Sequence, residues 1–145
     1  MESAVIEQES ETTVGSKFTF SSRERALIRS AVEDYNSEAK GATKKLTALN
    51  VSSLVVDSAR SRGALIIEKM DFADDDSIVE LNYQLRSTLG DALSMHARKL
   101  AKLAEKLPDL LVDTSDVTEA QERTAYIANK IGEQLTMHLE TEGDD

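Results

Sequence analysis

The chain has no cysteine, one proline and six glycines among its 145 residues. The lack of cysteine excludes a disulfide framework, a thiolate zinc site and a cysteine nucleophile. So few glycines and prolines leave little turn punctuation, which argues against an all-β chain of many short strands. Aromatic side chains are scarce, three Tyr and three Phe, so base stacking on single-stranded nucleic acid has little support. The longest runs of Leu, Ile and Val, Leu54-Val55-Val56, Leu65-Ile66-Ile67 and Leu110-Leu111-Val112, are three residues each. A membrane-spanning helix needs about 20 apolar residues. There is no Gly-rich phosphate loop, no Gly-x-Ser-x-Gly elbow and no His-Glu-x-x-His, so no motif carries enzymatic chemistry. Residues 1–15 hold four Glu and no basic stretch ahead of an apolar one, and no secretory signal is expected there. These absences describe a soluble, cytoplasmic, mostly helical protein of one ordinary domain.

What is present begins with charge. The formal net charge is −10, from 17 basic and 27 acidic residues. Residues 21–70 carry nine basic against six acidic side chains, whereas residues 111–145 carry two against nine. An acidic total disfavours nucleic-acid binding and anionic membranes, both of which need a clustered cationic face. The gradient favours packing of the C-terminal segment against the 21–70 region, within one chain or between two.

Residues 1–16 are rich in Glu, Ser and Thr, which suggests a disordered acidic arm before a single helical domain over 17–140 and a frayed tail over 141–145. Phe18 and Phe20 read either as a short extended stretch or as apolar residues at the entrance of a helix, and the second is favoured. Ser21 and Glu24 have the spacing of a capping box. Ile28, Val32, Tyr35, Ala39, Ala42, Leu46 and Leu49 then follow at alternating spacings of 4 and 3, a heptad seam. Asn50 supplies a stop, since it tolerates the left-handed conformation. For residues 51–70 a second helix capped by Ser52 or Ser53 competes with a hairpin, and helix is favoured.

Ser77 and Glu80 have capping-box spacing ahead of a long apolar track: Ile78, Leu81, Leu85, Leu89, Leu93, Ala97, Leu100, Ala104 and Leu107. Pro108 is expected to end it. A last helix opens near Asp116 or Thr118, with Ala120, Thr124, Ile127, Ile131, Leu135 and His138 along one stripe. The fold class expected is therefore all-α, a bundle of about four helices with coiled-coil-like seams.

Candidate sites are few. His96 and His138 lack the Glu three residues earlier that helical di-metal sites use, so neither a metal nor any other cofactor is expected. Asp71, Asp74, Asp75 and Asp76 fail the spacing of a calcium loop and read as carboxylates favoured near the positive end of the following helix. Arg60 and Arg62 form a possible anion contact if they lie in a turn; on a helix they diverge. No catalytic residues are assigned. The narrow seams, represented by Ile28, Val32, Tyr35, Leu46, Leu85, Leu89, Leu93 and Leu100, suit paired helices better than a solitary bundle. The expected function is thus a non-enzymatic interaction or assembly protein that forms a homodimer. The alternative is an acidic mimic of nucleic acid that occupies a basic DNA- or RNA-binding partner.

Overall fold

The computed structural model describes residues 17–110 and 115–132. The arm expected over 1–16, the stripe residues Leu135 and His138, and the tail 141–145 lie outside the described residues. Within them four helices pack on one another: α1 (Ser22–Ala48), α2 (Leu54–Phe72), α3 (Tyr83–Leu110) and α4 (Ser115–Lys130). Two short strands, β1 (Lys17–Phe18) and β2 (Val79–Glu80), pair antiparallel, Lys17 with Glu80 and Phe18 with Val79. The chain is an all-α bundle, and no described helix is long and apolar enough to cross a membrane.

The start of α1 follows its sequence closely. Ser21 Oγ accepts from the Glu24 amide at 3.2 Å, and the Glu24 carboxylate accepts from the Ser21 amide at 2.8 Å. This reciprocal box satisfies two of the four orphan donors of a helix N-terminus. Phe20, one residue ahead, is fully buried and stacks on Phe18 at 5.8 Å between ring centroids. Both readings of this stretch hold together, because Phe18 sits in the strand and Phe20 seals the helix entrance.

At its other end α1 stops at Asn50, whose φ is 58°. The Val51 amide donates to the Leu46 carbonyl at 2.9 Å and the Asn50 amide to Thr47 at 3.1 Å. These are the paired bonds of a Schellman close, which requires a left-handed residue where Asn50 stands. The chain then re-enters as helix, so residues 54–72 are not a hairpin. Its buried stripe is Ala59, Gly63, Ile66 and Met70, a helical spacing.

Two boundaries differ from expectation. The capping box expected at Ser77 and Glu80 does not form, because Glu80 lies in β2. Ser77 instead closes a tight turn with Asp74, whose Oδ1 accepts from the Asp76 amide at 3.0 Å and from Ser77 Oγ at 2.9 Å. Asn82 caps α3, its Oδ1 accepting from the Leu85 amide at 2.9 Å. A nearby amide-capable cap and a strand partner in β1 together outcompete the earlier start. Pro108 does not end α3, which runs on to Leu110; a proline's fixed φ lies near the helical value, so a helix can continue through it at the loss of one backbone hydrogen bond.

The core occupies one end of the bundle. It joins Phe20, Ile28 and Val32 to Ile66 and Met70, to Val79, Leu81, Leu85, Leu89 and Leu93, and to Ile127 and Ile131. The α1–α2 hairpin extends beyond it, α1 alone spanning about 40 Å for its 27 residues at about 1.5 Å each. In the described part, α4 packs chiefly on α3 rather than on the 21–70 region that the charge gradient favoured. The Arg23–Glu119 pair at 3.9 Å is the one contact of the expected polarity that bridges α1 and α4 among the described residues, and both side chains are exposed.

Candidate interaction surface

The seam expected to receive a second copy is largely used within the chain. Ile28, Val32, Leu85, Leu89 and Leu93 are buried in the core, while Tyr35, Leu46 and Leu100 are half-buried. The β1–β2 ribbon and the turn at Asp74 bring α3 and α4 over the lower halves of α1 and α2, so each narrow stripe meets several partners rather than one. Arg60 and Arg62 do not converge either. They lie on a helix, about 200° apart around its axis. Arg62 Nε donates to Thr88 Oγ1 at 2.7 Å, whereas Arg60 faces Asp57 at 4.0 Å.

The acidic loop is not a helix-start device. Asp75 in the loop pairs with Arg25 at 3.1 Å, and Asp71 in the last turn of α2 with Arg29 at 3.3 Å, tying the loop and this end of α2 to α1. Bonds from Ser77 and from the Asp76 amide hold the Asp74 carboxyl below the usual range. No group of three His, Asp or Glu side chains able to hold a metal occurs among the described residues.

One polar cluster joins three helices, with Tyr35, Arg62 and His96 half-buried and Asp91 and Lys99 on its exposed rim. Burial, then the Asp91 charge, raises the Tyr35 hydroxyl above its ordinary pKa, against the pull of Arg62. Asp91 is raised by burial, with Arg62 and Arg98 opposing. Nearby, burial lowers His96, Asp34 opposes that shift and Lys99 adds to it. Lys99 bridges Asp34 at 2.6 Å and Glu38 at 3.3 Å. These groups tie α3 to α1 and α2, and among the described residues they pair with one another across the helix contacts. A charged furrow between α1 and α4 is likewise self-neutralising, since Glu119 accepts from Arg123 at 2.6 Å and Lys130 meets Glu24 at 3.3 Å.

What remains open is the outer side of α2. A groove of about 350 Å³ runs between its C-terminal half and β2, lined by Leu65, Glu68, Lys69, Phe72, Ile78 and Glu80 among others. Phe72 is 84% exposed, Ile78 67% and Leu65 42%. At the opposite end of α2, the hairpin tip exposes Leu49, Val51, Leu54 and Val55. The tip is a firm structure: Asp57 accepts from Ser53 at 2.8 Å and from Thr43 at 2.9 Å, joining α1 to α2. Those bonds lower the Asp57 carboxyl.

Sequence reasoning missed this surface because it followed the seams that became core. Its signal was the remainder. Once Ala59, Gly63, Ile66 and Met70 are assigned inward, Leu54, Leu65 and Phe72 are large apolar residues left on the other side of the same helix. The chain matches no family model, and no curated protein or solved structure is significantly similar to it.

Proposed function

We propose that the protein is a non-enzymatic helical interaction module that self-associates, with a homodimer as its smallest assembly. The observation that carries the reading is the outer side of α2, where Leu65, Phe72 and Ile78 stand exposed around one groove. Burying a large apolar side chain stabilises a complex by roughly 1.5–3 kcal/mol, and monomeric proteins seldom leave several such groups together in water. The pairing of titratable groups with one another, rather than around a pocket, supports the non-enzymatic part.

Acidic mimicry of nucleic acid draws less support. On α4, Glu119 is already neutralised by Arg23 and Arg123, so the described acidic face presents no regular row of free carboxylates. Sedimentation equilibrium tests the reading directly. A concentration-dependent dimer at tens of micromolar is expected, and a monomer throughout that range would overturn it.

A further inference from the structure

Resting on the self-association reading, we propose that two copies pack α2 against α2 antiparallel about a two-fold axis, Leu54 of each lying against Phe72 of the other. The outer face of α2 repeats Leu54, Ser58, Ser61, Leu65, Glu68 and Phe72 at alternating spacings of 4 and 3. That is the heptad spacing of a helix–helix seam. All six are exposed except Ser58, which is half-buried, and the stripe lies opposite the buried Ala59, Gly63, Ile66 and Met70.

Read in reverse against itself, the stripe is self-complementary. Leu54 meets Phe72, Ser58 meets Glu68 and Ser61 meets Leu65, each pair occurring twice. Leu54 and Phe72 fall at the two ends, and the small Ser61 faces Leu65 at the middle, where helix axes approach closest. A serine hydroxyl opposite Glu68 donates to its carboxylate. The incoming Leu54 enters the groove walled by Phe72 and Ile78, which is open in one chain.

Charge selects this direction over the others. The tip end of the hairpin carries Lys40, Lys44 and Lys45, none of which forms an ion pair among the described residues. The far end carries Glu68, Asp71, Asp74, Asp75, Asp76 and Glu80. Arg25 and Arg29 engage Asp75 and Asp71 there, and the remaining four carboxylates still outnumber Lys17 and Lys69. A tip-to-tip or parallel dimer sets like charges together, whereas the antiparallel one sets each basic end beside an acidic end. A closed two-fold dimer also leaves neither patch free to propagate a chain.

The absence of cysteine makes cross-linking a clean test. Full-length Ser58→Cys and Glu68→Cys variants are treated with a short bismaleimide, alone and as an equimolar mixture. The mixture is expected to give a covalent dimer and each variant alone little, because only 58 and 68 face each other. In parallel, Phe72→Ser is expected to raise the dimer Kd about 30-fold, the scale of losing an aromatic anchor, with the helical circular dichroism unchanged. A wild type that dimerises but cross-links best through 58–58 or 68–68, or not at all, overturns the antiparallel arrangement alone. An assembly larger than a dimer does the same. A wild type that stays monomeric at tens of micromolar overturns the self-association reading, and this inference with it.

Discussion

The two ends of the α1–α2 hairpin carry the same apolar rhythm and meet opposite fates. At the base, Ile28 and Val32 on α1 and Ile66 and Met70 on α2 are buried beneath α3, α4 and the β1–β2 ribbon. At the tip, Leu46 is only half-buried, and Leu49, Leu54 and Val55 are exposed. The hairpin is held at both ends by good local chemistry, a capping box at Ser21 and a Schellman close at Asn50. The difference therefore lies in coverage. Two helices can zip together along one seam each, but a buried core needs a third and fourth element, and these reach only the lower half.

The sharpest way to break this comparison is to truncate one leucine of the covered base, Leu89 on α3, and one of the open tip, Leu49. Leu89→Ala, in the fully buried base, is expected to lower unfolding free energy by about 2–5 kcal/mol through lost burial and a residual cavity. Leu49→Ala, 74% exposed at the tip, is expected to stay within about 0.5 kcal/mol. Urea denaturation of both variants decides it; equal losses would mean that the tip is covered as well as the base.

Glycine substitutions refine the picture at a smaller scale. A Cβ at Gly41 meets nothing within 4 Å, whereas one at Gly63 would collide with Asn36 Oδ1. Gly41→Ala is thus expected to stabilise by about 1 kcal/mol, the ordinary preference of a helix interior. Gly63→Ala should cost about 1–2 kcal/mol net, because Asn36 must abandon its bond to the Arg60 carbonyl. In an Asn36→Ala background the same change should turn stabilising, a reversal visible in the denaturation midpoints.

The smallest expected effect concerns pH and the seal between α3 and α1. Burial lowers the His96 pKa from the ordinary 6.5, so the unfolded chain takes up this proton first as the solution is acidified. The contribution of neutral His96 is complete above about pH 6.5 and is lost as pH falls through the lower folded value. Stability should therefore decline modestly between pH 7 and 5 in the native chain, and that slope should flatten in His96→Gln. An unchanged slope would place the titration elsewhere.

Much of the fold was legible because several local signals agreed. Ser21, Glu24 and Asn50 mark the ends of α1 by short-range hydrogen bonds and backbone preference, which neighbours in sequence suffice to define. The stripe of Thr124 and Ile127 on α4, with Ile131 just past its end, reads inward for the same reason. The start of α3 was not legible, since Ser77 and Glu80 have the right spacing for a cap, and only pairing of Val79 with Phe18, some sixty residues earlier, draws that stretch into a strand. The candidate surface was hidden by a different ambiguity. An apolar heptad reads identically whether its partner is another helix of the same chain or of a second one.

Taken alone, the amino-acid order determined that this protein is helical, where α1 begins and ends, and which residues line up in apolar stripes, because propensity, capping and periodicity act over a few residues. Which of those apolar stripes became core and which stayed outside was decided by the tertiary structure. That outcome depends on how far α3 and α4 reach along the hairpin, a long-range packing result that no local pattern encodes.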